Sequence, residues 1–138
     1  MTAKEWLSQV RTLDQKINNR IEEIDRLRAS LYYKGINYDK EPVSGGVPVS
    51  SASVVAKIVD YEKDLQEEID AFIDLKKEIL KKLDKLTDSD YVRLLYLRYF
   101  KFKKWEEIAV ELNYTHRWVL SLHGRALHEV EKILKTSF

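Results

Sequence analysis

The sequence has 138 residues, of which 44% are hydrophobic, 34% are charged and 11% are aromatic, a composition that excludes a wholly disordered chain. Its four glycines and two prolines are too few for the turns of a β-sandwich or barrel, and the absence of cysteine excludes disulfides, Cys-ligated zinc and thiol nucleophiles. The net charge is +1, but residues 91–138 carry 9 Lys and Arg against 5 Asp and Glu, which favours a polyanion-binding module on an acidic remainder.

Neither a membrane span nor a signal peptide is predicted. The longest uncharged stretch, residues 42–56, contains both prolines, two adjacent glycines and several serines, so it is unsuited to cross a bilayer. The first residues lack the apolar core of a signal peptide. We therefore expect a cytoplasmic protein with no membrane partner.

Residues 2–31 are predicted to form a long amphipathic helix. Their apolar residues recur at intervals of three and four, which is typical of one helix face, and no glycine or proline interrupts them. This apolar stripe consists of Trp6, Val10, Leu13, Ile17, Ile21, Ile24, Leu27 and Leu31.

Residues 32–53 contain nearly all the helix-breaking residues of the chain, among them Gly35 and Pro42. A flexible loop is expected over about residues 33–52, with no regular structure over 34–50. A loop of about 20 residues is long for a compact domain. Two roles therefore stay open, a slack tether between helices and a docking segment that becomes ordered on a partner.

A second long helix is predicted over residues 53–86. After Ile58 its stripe positions alternate in spacing between four and three, which is a heptad repeat interrupted by Glu62 and Lys76. The many charges elsewhere in the segment are typical of the solvated face of a coiled coil. The apolar members of the stripe are Val55, Ile58, Leu65, Ile69, Phe72, Ile79, Leu83 and Leu86.

Two long helices joined by a loop predict an antiparallel helical hairpin in residues 1–86, acting as an oligomerisation region. Such a hairpin leaves apolar flanks exposed. We expect these flanks to be buried against a second copy, giving a homodimer with a four-helix bundle. Packing on the C-terminal module is the alternative. The flanking residues are Val54, Val59, Tyr61, Ile73 and Leu75.

Residues 87–138 are predicted to form a second domain, which begins with a short helix. Thr87 to Asp90 has the Thr-x-x-Asp pattern of a capping box, so a helix is expected from Tyr91 to about Phe100. Its apolar surface would come from Leu94, Leu95, Leu97 and Tyr99.

A helix-turn-helix is predicted after a basic turn at residues 101–104. It consists of a short helix over Trp105–Leu112, a turn at Asn113, and a final helix that Thr115 caps and that reaches about Leu134. Asparagine suits the turn because it tolerates left-handed backbone. The inner faces of the two helices are predicted to be formed by Ile108, Ala109, Leu112, Val119, Leu122, Ala126 and Leu127.

Three stretches of this module carry a further pattern: Leu94–Phe100, Trp105–Ala109 and Val119–Leu127. Over about residues 87–134 they resemble region 4 of bacterial sigma factors, which binds a promoter element. The whole chain is similar to the ArpU/RinA-type regulators of Gram-positive phages and prophages, because it has a long N-terminal helix, a Pro-Val-Ser-Gly-Gly loop and a charged coil helix before Tyr114–Val119 and Leu122–Leu127. The resemblance implies a phage late-gene transcription regulator, expected to be an activator.

The outer face of the final helix is predicted to read base edges in the major groove of double-stranded DNA. The resemblance places base contacts at His116, Arg117, Leu120 and Ser121. Phosphate contacts are expected from the basic turn and from nearby helix ends, at Arg98, Lys101, Lys103, Lys104, Thr115 and Arg125.

Four residues of the module call for separate expectations. Trp118 and Leu120 are apolar where sigma factors usually carry charge. Trp105 is expected in the core. Gly124 lies within a predicted helix, where it costs about 1 kcal/mol relative to alanine, and either a close helix crossing or a bend would explain it.

The sequence predicts a protein that is not an enzyme and that needs no cofactor or metal. It contains no Gly-rich phosphate loop and no His-Glu-x-x-His motif. The three histidines are spaced by 7 and 5 residues, so they do not share one helix face as metal ligands.

Three functions stay open. The leading one is a sequence-specific regulator that binds double-stranded DNA as a homodimer. The second is a packaging protein of the small-terminase type, which would form a ring. In the third, the module mimics sigma region 4 and binds RNA polymerase or a sigma factor.

Overall fold

A computed structural model describes residues 1–36 and 51–136 of the chain. All regular structure in these two ranges is α-helical, which confirms the all-α prediction. The helices are α1 (Ala3–Ile36), α2 (Ser51–Leu83), α3 (Ser89–Tyr99), α4 (Trp105–Leu112) and α5 (His116–Thr136).

The two long helices differ from their predicted bounds. α1 continues past Leu31 and through Gly35, and α2 begins at Ser51 and ends at Leu83. The prediction of no regular structure is therefore wrong for residues 34–36, while 37–50 and the two roles considered for the loop lie outside the described residues. A single glycine costs about 1 kcal/mol within a helix, which is too little to end a long one.

The chain divides into two compact units, one formed by Met1–Asp14 with Phe72–Phe138 and the other by Gln15–Ala71. In the first unit, the beginning of α1 and the end of α2 share one hydrophobic core with α3, α4 and α5. Leu7 and Ile108 are both fully buried in it. Of the flanking residues predicted to be buried, Leu75 packs against this core, whereas Ile73 is 44% exposed. Leu83 and Leu94, on either side of the predicted division between residues 86 and 87, are buried in this core together.

Polar contacts also attach the start of α1 to this unit. The backbone N–H of Ala3 donates to Glu131 Oε1 at 2.6 Å, and the Lys82 ammonium lies 5.6 Å from the centre of the Trp6 ring. Ala3 and Leu7 are buried although the predicted stripe did not include them. The buried face of α1 is therefore wider here than the stripe, because other helices cover it.

The second unit has a small core of its own. Ile24, Val54 and Ile58 are buried there, and Leu27, Leu31, Tyr61 and Leu65 pack against them. Two ion pairs accompany this core: Arg20 Nε lies 2.8 Å from Glu68 Oε1, and Arg28 pairs with Glu62.

The predicted apolar stripe is wrong at two positions of this unit. Val55 is 47% exposed, whereas its neighbour Val54 is 5% exposed, so the buried row reaches Ile58 by a step of four residues rather than three. Ile21 is 40% exposed. A spacing of three or four residues does not settle which of two adjacent apolar residues, Val54 or Val55, is covered. Ile21 lies on the same helix face as the buried Ile24 and lines a groove with it, but it is only partly covered.

The N-terminus of α3 also differs from the prediction. Asp88, not Thr87, is the N-cap, and its carboxylate accepts from the backbone N–H of Asp90 at 2.9 Å. The predicted Thr-x-x-Asp capping box therefore places the N-cap one residue too early. Aspartate serves as well as threonine at this position. The predicted apolar surface of α3 is confirmed, since all four of its residues are buried, namely Leu94, Leu95, Leu97 and Tyr99.

Candidate nucleic-acid interface

The connection between α4 and α5 is a tight turn. Asn113 has φ 59° and ψ 39°, which is the left-handed conformation predicted for it, and its N–H is directed at the carbonyls of Ala109 and Val110. The N–H of Tyr114 donates to the Ala109 carbonyl at 3.0 Å. These bonds satisfy carbonyls at the end of α4 and reverse the chain direction within a few residues.

Thr115 caps α5, as predicted. Its Oγ1 accepts from the backbone N–H of Trp118 at 3.1 Å. This N-cap bond satisfies a free N–H in the first turn of α5. It fixes where the helix begins and therefore which side chains stand in its first turn.

The Tyr114 side chain connects the turn to α3. Its hydroxyl donates to Asp90 Oδ2 at 2.7 Å, and this bond raises the pKa of the phenol. The turn that precedes α5 is thus attached both to α4, through the backbone, and to the first turn of α3.

The predicted inner face of α4 and α5 is confirmed. Ile108 and Val119 are fully buried, and Leu122 is 5% exposed. Together with buried residues of α3 they form the part of the core that sets the position of α5. The remaining inner-face residues are buried or packed against the core, namely Ala109, Leu112, Ala126 and Leu127.

The four predicted base-contacting residues lie together on the exposed side of α5. His116, Arg117, Leu120 and Ser121 are all exposed, and they occupy its first two turns. His116 Nε2 lies 3.8 Å from Glu106 Oε1, so the two are an ion pair when the histidine is protonated. Glu106 was not predicted to matter at this site.

Trp118 and Arg125 form a pair beside these residues. Trp118 is 38% exposed, and the Arg125 guanidinium carbon lies 5.0 Å from the centre of its ring. This distance is within the range of a cation–π interaction. Arg125, a predicted phosphate contact, is therefore on the surface and is oriented by the indole.

The predicted phosphate contacts of the basic turn divide into two groups. Lys101 and Lys104 are exposed. Lys103 Nζ lies 3.8 Å from Glu111 Oε2, and Arg93 Nη2 donates to Glu111 Oε1 at 2.8 Å. The carboxylate of Glu111, which the sequence did not single out, thus neutralises part of the positive charge.

Arg98 is held within the protein. Its Nη1 donates to the Lys103 carbonyl at 2.9 Å, and its guanidinium carbon lies 4.2 Å from the centre of the Trp105 ring. Trp105, predicted in the core, is half-buried and packs against it. The turn between Arg98 and Trp105 contains Phe102 with φ 57°, a left-handed backbone with no glycine or asparagine to signal it.

His123 and Tyr99 form a polar contact next to the core. The Tyr99 hydroxyl and His123 Nε2 are 2.7 Å apart. Burial of the imidazole, together with the positive charges of Lys4 and Arg98, lowers the pKa of His123 to about 4, and burial raises the pKa of Tyr99. Both side chains are therefore neutral near pH 7.

Protonation of His123 is expected to destabilise the protein. Because its folded-state pKa of about 4 lies below the ordinary value of 6.5, the unfolded chain binds the proton first as the pH falls. This loss of stability begins near pH 6.5 and continues to about pH 4. Thermal unfolding of the wild type and of His123→Gln over that range checks it. The wild type should lose more in Tm, and an equal loss in both would contradict the assignment.

Gly124 does not mark a close helix crossing, so that explanation is wrong. It is exposed within α5, and a Cβ placed on it would have nothing within 4 Å. We therefore expect Gly124→Ala to raise the free energy of unfolding by about 1 kcal/mol, since alanine lowers the entropy cost of the helix. Chemical denaturation measures this change, and a decrease in stability would contradict the geometry.

Comparisons with protein-family models, curated proteins and solved structures find no match to this chain. Within residues 1–36 and 51–136, no helix has the length and apolar character needed to cross a membrane.

Proposed function

We propose that the protein is a sequence-specific regulator of transcription that binds double-stranded DNA through a helix-turn-helix formed by α4 and α5. The observation that carries the proposal is the contrast between the two sides of the first turns of α5. Val119 and Leu122 are buried, while Arg117, Leu120 and Ser121 are exposed. A helix fixed on one side and exposing polar groups on the other can enter a major groove without rearrangement.

The exposed side chains offer different chemistry to base edges. Arg117 can donate two hydrogen bonds to the O6 and N7 atoms of guanine, His116 and Ser121 can donate or accept, and Leu120 can contact a thymine methyl group. Lys101 and Lys104, both exposed, would supply phosphate contacts that position the module. Lys103 already pairs with Glu111 and is a weaker candidate for this role, whereas Arg98 gives only one of its five N–H groups to a described acceptor, the Lys103 carbonyl.

The scaffold of the proposal is an antiparallel hairpin formed by α1 and α2. In the second unit, Arg20 pairs with Glu68 and Arg28 with Glu62. The residue number of the partner on α2 decreases as the residue number on α1 increases, as expected for antiparallel helices. Exposed apolar side chains on this unit, such as Val59 at 46% exposure, favour contact with a second copy. A homodimer would place two reading helices on paired half-sites.

The likeness to ArpU/RinA-type regulators favours a phage or prophage protein that activates late genes. The mass of the protein in solution distinguishes this role from DNA packaging of the small-terminase type. A dimer agrees with a regulator, and a ring of many subunits agrees with packaging.

A specific observation favours one competing function, the binding of RNA polymerase or a sigma factor. Val110 on α4 is 78% exposed, and Trp118 and Leu120 on α5 are 38% and 42% exposed. Exposed apolar residues of this size are common at protein interfaces. Footprinting with and without polymerase separates the two functions, because a protein-binding module would protect DNA only when polymerase is present.

Lys104→Ala is expected to weaken binding to every duplex alike, because a phosphate contact carries no sequence information. The negative slope of log K against log salt should become shallower by about 0.9. The backbone N–H of Lys104 donates to Glu107 Oε1 at 3.1 Å, and alanine preserves this cap, so stability should hold. Titration of two unrelated duplexes at several salt concentrations measures both effects.

Lys135→Ala, which removes an exposed lysine in the last turn of α5, is the matched control. An unchanged slope for Lys104→Ala would remove it from the interface.

A further inference from the structure

A small cavity lies in the first compact unit, among α1, the end of α3, the turn before α4, and α5. Its volume is about 160 Å³, well below the roughly 300–1,000 Å³ of pockets that hold drug-sized ligands. Its polar lining consists of Lys4, Ser8, Arg11, Arg98, Tyr99 and His123, so no carboxylate is among the described residues around it. A cavity of this size suits a small group rather than a large organic ligand.

Three positive charges meet at this cavity. Lys4 and Arg11 are seven residues apart, with Ser8 between them, so all three stand on one face of α1. Arg98 comes from the end of α3. Within the part of the chain that the structure describes, none of these three cations forms an ion pair. Like charges in one cavity repel, and a bound anion would remove that cost.

The two guanidinium groups rest on aromatic rings. The stacking of Arg98 on Trp105 and its hydrogen bond to the Lys103 carbonyl fix the plane of the guanidinium and leave most of its N–H groups without a protein acceptor among the described residues. The Arg11 guanidinium carbon lies 5.9 Å from the centre of the Phe102 ring. The Arg98 donors, held by both a ring and a hydrogen bond, lose little freedom when they bind a ligand.

The remaining polar groups of the cavity carry no charge near neutral pH. Tyr99 and His123 share a hydrogen bond. Both are neutral, because burial lowers the pKa of His123 to about 4 and raises the pKa of Tyr99. The positive charges of Lys4 and Arg98 act directly on the imidazole, since they help to lower its pKa. The cavity therefore combines a positive potential with neutral hydrogen-bonding groups.

We propose that this cavity binds a phosphate group through Lys4, Arg11 and Arg98. Arginine pairs with phosphate through parallel hydrogen bonds, and lysine adds a point charge. The phosphate can come from a nucleic-acid backbone or from a free phosphate-bearing molecule, and the chemistry of recognition is the same. The inference does not require the proposed function, because Lys4 and Arg11 lie on α1 and outside the helix-turn-helix.

Titration of inorganic phosphate, with chloride adjusted to constant ionic strength, tests the site. The probe is the NMR signal of the His123 ring, which lines the cavity. The wild type should show a saturable shift of this signal. Arg11→Gln and Lys4→Gln should each weaken binding about tenfold or more, the effect of losing one charged hydrogen bond. Both side chains are exposed, so both variants should fold, and Lys135→Gln should bind as the wild type does.

A second titration identifies the source of the phosphate. If phosphate weakens DNA binding by the wild type but not by Arg11→Gln, the cavity receives the nucleic-acid backbone. If phosphate leaves DNA binding by the wild type unchanged, the cavity serves a free phosphate-bearing molecule. If the protein does not bind DNA at all, the cavity again serves such a molecule, and only the proposed function is rejected. The absence of a saturable His123 shift, or equal shifts in the wild type and Arg11→Gln, would overturn the phosphate site itself.

Discussion

Leu7→Ala is expected to lower the free energy of unfolding by about 2–5 kcal/mol, as much as Ile108→Ala. Leu7 lies near the start of α1 and Ile108 in α4, yet both are fully buried in the same core. Truncation to alanine removes the same kind of contact and leaves the same kind of cavity at each site. Chemical denaturation of the two variants measures the changes.

Leu120→Ala is the matched control, since it makes the same substitution at a residue that is 42% exposed. Its effect on stability should stay within about 0.5–1 kcal/mol. A severe effect of Ile108→Ala together with a mild effect of Leu7→Ala would contradict the shared core. In that case residues 87–136 would fold without the ends of the long helices.

Arg117→Ala is expected to weaken binding to the preferred DNA site by about 1–3 kcal/mol and to relax the preference at one base position. Arg117 is exposed in the first turn of α5, and it forms no salt bridge with any residue of the described ranges. Its loss should therefore leave the folded protein intact. Titration of the preferred and scrambled duplexes measures both effects.

Arg26→Ala is the matched control for this experiment. Arg26 is an exposed arginine of the second unit, far from α5 in the chain. The control should bind both duplexes as the wild type does. If Arg117→Ala weakened both duplexes equally, the side chain would contact phosphate and not a base.

Local signals predicted the short helices well. The bounds of α4, Trp105–Leu112, match the prediction because Asn113 and Thr115 mark the turn with side-chain chemistry that few other residues share. The buried faces of the long helices are less well defined by local signals. Val54 and Val55 fit an apolar stripe equally well, and only the packing of α1 decides that Val54 is covered.

The surroundings of the candidate site depend on contacts between residues distant in sequence, which spacing does not reveal. The common exposed face of the four proposed base-reading residues could be predicted from their spacing along α5, while their contacts with DNA stay a prediction. The attachment of Arg98 to Trp105 and the contact of Tyr99 with His123 join different elements, so no periodic pattern signals them. The left-handed backbone of Phe102 has no local signal either, because the residue type disfavours it.

Selection of bound duplexes from a random DNA pool tests the central proposal most directly. Sequencing of the pool retained by the wild type should show one enriched motif, arranged as two half-sites if the protein is a dimer. The pool retained by Arg117→Ala should show the same motif with the preference lost at one base of each half-site. A wild-type pool with no enriched motif would contradict sequence-specific DNA binding and would leave the exposed face of α5 as a protein-binding surface.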